Sequence, residues 1–119
     1  VPQLLKPLHE VFNDGFLIYG HDTTKREKGK RVGEVFNPEG KLAFKLLSAR
    51  EQDYDLAGSK GSTLDLKVKT LYPPSFRNVK KTNLKCLIDS VKYEVIHVDW
   101  DNDKRYLYFY LQEVGDSVE

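Results

Sequence analysis

TLDLKVKTLY, residues 63–72, is the stretch whose pattern decides the fold. Leu64, Leu66 and Val68 alternate with Asp65, Lys67 and Lys69, a period of two that places apolar groups on one face of a strand. It predicts a half-buried antiparallel strand. Downstream, LKCLI (84–88) and VKYEVIHVDW (91–100) flank Asp89 and Ser90, whose short polar side chains suit a tight hairpin turn. After a polar turn at 101–103, KRYLYFYLQEV (104–114) sets Tyr106, Tyr108 and Tyr110 against Leu107, Phe109 and Leu111 on opposite faces. Both faces call for cover, and so small a sheet supplies it by closing on itself or by meeting another copy.

Upstream, residues 15–19 and 41–47 are strand candidates, with 31–36 a further one, and Asn37, Pro38, Glu39 and Gly40 read as a turn leading into the second. Ser48, Ala49, Arg50 and Glu51 match the capping box, so a short helix is expected to start there and stop near Ala57, before Gly58 and Gly61. Ala49, Tyr54, Leu56 and Ala57 give it only a narrow apolar stripe, while Glu51, Asp53 and Asp55 favour water. So short a helix depends on whatever it docks against. Residues 1–14 are expected to form a flexible arm or weak helix, with Leu4, Leu5, Leu8, Val11 and Phe12 on one side of residues 2–12. The reading is therefore a single all-β domain over residues 1–119: a small barrel-like antiparallel sheet of about six strands with one short helix.

The composition agrees with one globular domain: 119 residues, 39% hydrophobic and 31% charged. A formal charge of +1 gives no bulk attraction to nucleic acid or an acidic membrane, so any such contact needs a local patch. No apolar run approaches the roughly 18 residues that cross a bilayer. Cys86 is the single cysteine and forms no internal disulfide, in keeping with a soluble protein of a reducing compartment.

Catalytic, cofactor and metal sites are not legible. Asp99, Asp101 and Asp103 have the spacing that begins a calcium loop, but Lys104 stands where that loop needs Gly and Tyr110 where it needs a bidentate Glu. Cys86 with His97, His21 or His9 lacks an orienting third group. Lys25, Arg26, Lys28, Lys30 and Arg31 put five cations into seven residues between two strand candidates. They read as an exposed hairpin tip or as a contact with phosphates or an acidic protein surface. No aromatic residue interleaves them to stack bases. Tyr106, Tyr108 and Tyr110 read equally as a subunit interface or as packing within a barrel.

The order of these features resembles the tailed-phage head–tail joining family, also called head closure, stopper or head–tail adaptor proteins. The likeness runs from Lys41 onward and lies in Leu47, Ser48 and Glu51 opening a short helix, the alternating basic strand 65–72, the hairpin 89–98, and the Asp-rich turn and closing strand 101–111. The chain departs from the family in carrying Asp89 and Ser90 where glycine is frequent, and Leu71 and Tyr72 where arginines often stand. The resemblance implies a non-enzymatic virion protein of the phage neck, present in the host cytoplasm during assembly. It implies a homo-oligomeric ring of roughly 12 or 6 copies beneath the portal or adaptor ring. Such a ring retains packaged DNA, offers a surface to the tail terminator or tail tube, and lets genomic DNA pass transiently, with no membrane and no cofactor involved.

In that setting residues 48–62 are the candidate lumen segment, with Ser48, Arg50, Glu51, Asp53 and Tyr54 at its start and Asp55, Gly58, Lys60 and Gly61 toward its end. Its carboxylates would repel DNA. The basic run 25–31 is assigned to an adjacent protein ring. Two alternatives stand beside this reading: a tail terminator or tail-side joining ring protein, and an OB-like module that grips single-stranded nucleic acid.

Overall fold

The computed structural model describes residues 10–114. The greater part of the expected N-terminal arm, residues 1–9, lies outside the described residues, and residues 10–14 form neither helix nor strand. Six strands, β1 (Gly15–Glu27), β2 (Lys30–Leu47), β3 (Leu66–Leu71), β4 (Lys85–Ile88), β5 (Val91–Trp100) and β6 (Tyr106–Glu113), close into one antiparallel barrel in the order β1-β2-β3-β6-β5-β4. Among the described residues one α-helix, α1 (Glu51–Ser59), lies in the β2–β3 connection.

The alternation seen in the sequence sets what fills the barrel. Leu17, Val68, Cys86, Leu107, Phe109 and Leu111 are buried inside it. Asp89 and Ser90 form the expected β4–β5 turn, both with positive φ (51° and 69°), the conformation a two-residue hairpin uses to match strand twist. The 3-10 helix Pro74–Asn78, entered through Pro73 and Pro74, carries Phe76 into the core. There Phe76 meets Tyr19, Tyr72 and Phe109 edge to face, at centroid distances of 5.2, 5.9 and 5.9 Å.

Two expectations fail in the first half of the chain. β1 does not stop at Tyr19 but continues to Glu27, and the candidates 31–36 and 41–47 are one strand of 18 residues. Residues 37–40 are therefore no turn. They hold a β-bulge: Gly20 pairs with Pro38 and Tyr19 with Gly40, leaving Glu39 as the extra residue. A bulge is where a strand tolerates proline, because the missing N–H costs no ladder bond. Both glycines are required by close approach, since a methyl group on Gly20 would overlap the Asn37 carbonyl oxygen and one on Gly40 would overlap the buried Tyr19 ring.

The bulge is also where the two long strands leave the barrel. β4 pairs with β1 only as far as Gly20, and β3 pairs with β2 only from Phe44 onward. Beyond that point β1 and β2 pair with each other alone, as a two-stranded ribbon that turns at Lys28 (φ 54°) and Gly29 (φ 79°). The molecule measures 74 × 30 × 25 Å. Its radius of gyration is 16.8 Å, against roughly 13 Å for a compact chain of 100 residues.

Gly58 is a matched control for the crowded glycine, because a methyl group there meets nothing within 4 Å. Gly20→Ala is expected to lower the urea-unfolding free energy by about 2 kcal/mol, whereas Gly58→Ala, in α1, raises it by up to about 1 kcal/mol.

Candidate functional site

α1 is shorter at its start and better held than its sequence suggests. Ser48 and Ala49 precede it, Arg50 is the N-cap, and the reciprocal capping contact belongs to Asp53 rather than Glu51. The Arg50 amide donates to Asp53 Oδ2 at 2.8 Å, and the Asp53 amide donates to the Arg50 carbonyl at 2.9 Å. Gly58 does not end the helix. Gly61 does, at φ 71°, with the Ser62 amide donating to the Ala57 carbonyl (2.8 Å) and the Gly61 amide to the Gly58 carbonyl (2.9 Å), the Schellman pattern.

The expectation that Asp53 favours water is also overturned. Its side chain is 5% exposed, and Oδ2 accepts a second hydrogen bond, 2.9 Å long, from Nζ of Lys67, itself 7% exposed on β3. Lys67 Nζ also lies 5.2 Å from the centre of the Tyr110 ring on β6. Burial alone would raise the Asp53 carboxyl, but the Arg50 amide, the Lys67 ammonium and the Arg50 guanidinium together hold it below its ordinary value. The Tyr110 hydroxyl is pushed up, by burial first and by Asp53 second. Around this pair Ala57, Leu64 and Tyr110 form a second, smaller core on the outside of the barrel, with Ala49, Leu56, Ile96 and Tyr108 against it.

The arrangement is a polar latch: α1 is fastened to the sheet by one desolvated ion pair inside a thin apolar collar. The remaining members of residues 48–62 sit as follows. Glu51, Tyr54, Asp55 and Gly58 are exposed along α1. Arg50 leans its guanidinium to 3.6 Å from Asp53, and Lys60 Nζ donates to Nδ1 of His97 at 3.3 Å. Burial and then Lys60 lower the His97 pKa, so the ring is neutral at pH 7 and can accept that bond.

The tyrosines occupy the outer face of β6, but this chain covers much of that face. Tyr110 lies under α1, and Lys69 Nζ stands 4.1 Å from the Tyr106 ring centre and 5.6 Å from that of Tyr108. Phe12 stacks on Tyr106 at 6.2 Å, and Glu10 holds Lys69 at 2.8 Å and Lys45 at 3.2 Å. Residues 10–14 thus strap the outside of β2, β3 and β6. Lys25, Arg26, Lys28, Lys30 and Arg31 are all exposed at the ribbon tip.

Lys67, Glu10 and Phe76 were invisible as partners in the sequence. Asp53 and Lys67 are separated by 14 positions, and Glu10 and Lys69 by 59, so no local spacing links them. Of the residues considered for catalysis, His9 lies outside the described residues, and Cys86 makes no hydrogen bond to His21 or His97 among those described. Cys86 is fully buried in the barrel, where burial pushes its thiol pKa far up. Asp101 Oδ1 accepts from the amides of Arg105 (2.7 Å) and Tyr106 (3.1 Å), closing the β5–β6 turn. No group of three or more His, Cys, Asp or Glu capable of holding a metal occurs among the described residues. No helix among them is long and apolar enough to cross a membrane. Set against known proteins, the chain matches no family model and no curated protein.

Because the folded pKa of Asp53 lies below the unfolded value, the latch adds stability that is fully present above pH 5 or so and is lost as pH falls through the folded pKa. Asp53→Asn leaves the buried Lys67 ammonium without a counter-charge and is expected to cost about 3–5 kcal/mol. Thermal unfolding followed from pH 7 to pH 2 checks both, since the variant should lose part of the acid-induced fall in Tm shown by the parent.

Proposed function

We propose that this protein is a non-enzymatic head closure subunit of a tailed-phage neck. In this reading it forms a ring below the portal or adaptor, retains packaged DNA and receives the tail. The observation that carries the reading is the placement of α1: a closed six-stranded barrel interrupts itself between β2 and β3 for one short helix, fastened from outside by the Asp53–Lys67 pair. The same element order underlies the resemblance described above. A ring would set one copy of this element from each subunit around its axis.

The latch suits a gate because it is polar. An apolar core resists being opened by degrees, whereas an ion pair can break and let both charges return to water, which would let neighbouring rings bias residues 48–62 toward a second arrangement. Glu51 and Asp55 are the carboxylates that face solvent and would repel a DNA backbone in a lumen; Asp53 is neutralised by Lys67 and is assigned no such role. The ribbon supplies a reaching contact outside the barrel, while Tyr106 and Tyr108, half-buried under the strap and Lys69, leave only their uncovered edges for lateral packing. In the virion the partners would be the portal or adaptor ring on one side and the tail terminator or tail tube on the other.

One feature favours the OB-like alternative. Trp100, 39% exposed, lies beside Lys81 in a groove of about 250 Å³ along β5 that also holds Lys60 and His97. Base stacking on Trp100 would make a single strand bind there.

Incubation of the purified protein with DNA-filled tailless heads, and separately with isolated tails, decides between the readings. Cosedimentation with heads and retention of their DNA is expected; capping of isolated tails supports a tail terminator, and tight salt-sensitive binding of single-stranded DNA by the monomer supports the OB-like module. Hydrogen exchange should show residues 48–62 exchanging at least tenfold faster than Leu66–Leu71, as a segment fastened outside the barrel by an ion pair and a thin apolar collar requires. Equal protection of the two would remove the gate from this segment.

A further inference from the structure

Beyond its base the ribbon pairs with no other strand of its own chain. An isolated two-stranded hairpin is marginal in water, yet from Asp22 to Phe36 these strands pair only with each other, and Val32 and Val35 are 52% and 43% exposed. Lys92 on β5 grips Asp22 at 2.7 Å and so fixes the base. Toward the tip the one ion pair among the described residues joins Arg31 to Glu34 at 3.4 Å, with both side chains exposed. Lys25, Arg26, Lys28 and Lys30, with the single carboxylate of Glu27 among them, remain presented beside that pair.

The complementary charge is found on this same chain, at the other rim of the barrel. Register places the start of β1, the end of β4, the starts of β3 and β5 and the end of β6 together there. Asp65, Asp89 and Glu113 are exposed on that rim, and none is in an ion pair among the described residues. The Glu113 amide donates to Asp65 Oδ2 at 2.8 Å, and Tyr93, paired with Glu113, has its hydroxyl pushed up by burial and then by Glu113, Asp65 and Asp89. The tip does not reach its own rim. β1 is 13 residues long and paired with β2 along its whole length, which carries the tip about 40 Å from where the strand begins.

We infer that the basic ribbon tip of one molecule docks on the rim formed by Asp65, Asp89 and Glu113 of a second copy of this chain. The contact is heterologous, one patch meeting a different patch, so repetition gives a closed ring if the rotation closes and a fibre if it does not. It rests on the head closure reading for its setting and replaces, for the tip, the contact with an adjacent ring of another protein.

The test uses the full chain, alone and bound to tailless heads. Cys86 is fully buried, so Arg26→Cys with Glu113→Cys gives a clean oxidative cross-link between molecules. Under mild oxidation a ladder of covalent oligomers is expected, with nothing larger than a dimer when either new cysteine is absent. Lys25→Glu with Arg26→Glu should weaken self-association by about tenfold or more at low salt, and Glu113→Lys likewise; combining them should recover much of the loss. Asp89→Asn, which keeps a residue suited to the left-handed turn, gives a milder loss and guards against misfolding of the reversal variants. No ladder, or a tip variant that assembles as the parent does, overturns the inference. A tip variant that self-associates normally but no longer binds heads also overturns it, assigning the tip to another protein and leaving the head closure reading intact. Oligomers that cross-link as expected but never bind heads uphold the inference and reject that reading.

Discussion

Closure of the sheet at the bulge formed by Tyr19, Gly20, Pro38 and Gly40 is the constraint on which the rest of the molecule depends. Below it, β1 and β2 each gain a second neighbour, so the apolar face that the alternating sequence creates is sealed inside a barrel. Above it, the same two strands have only each other. The crowding is tight enough that neither glycine accepts a methyl group, and the extra residue at Glu39 increases the local twist and lets the paired strands change direction without breaking their ladder. One local device therefore divides a rigid body from a projecting arm.

Outside the barrel the chain uses charge where the interior uses hydrocarbon. α1 is fastened through Asp53 and Lys67, the N-terminal strap through Glu10 with Lys45 and Lys69, and the ribbon base through Asp22 and Lys92. Each joins a carboxylate on a peripheral segment to a lysine on a barrel strand. The alternating basic strand thus has a structural reading beside any contact with DNA or protein: its outward lysines receive the segments that dress the sheet. Such pairs contribute little net stability beyond what an apolar contact of the same volume would give, but breaking one leaves an uncompensated charge, which makes docking specific.

Much of this architecture is legible in the sequence where a single local pattern has one physical meaning. The period of two in 63–72, the Asp89–Ser90 turn and the two-sided strand 106–111 each lead to the barrel, because alternation and turn conformation are properties of neighbouring residues. The long β2 strand is not legible, since Pro38 and Gly40 serve a turn and a bulge equally well and only pairing with β1 selects between them. The helix start fails for a related reason. Ser48-x-x-Glu51 is the better capping pattern on paper, but Asp53 can satisfy the Arg50 amide and the distant Lys67 ammonium with one oxygen, and that tertiary partner fixes the frame. The site residues singled out from charge alone, Glu51, Asp53 and Asp55, divide into two exposed groups and one buried counter-ion, a distinction that depends on contacts 14 positions apart.

A ribbon that begins where a barrel ends is also a ruler. Adding one residue to each arm would turn every later side chain to the opposite face, whereas adding two would preserve the faces and lengthen the reach by about 7 Å. Span can therefore change in discrete steps through insertions near Lys28 and Gly29, with the hydrocarbon interior untouched, so variants of this scaffold could match spacers of different width while keeping one folding unit.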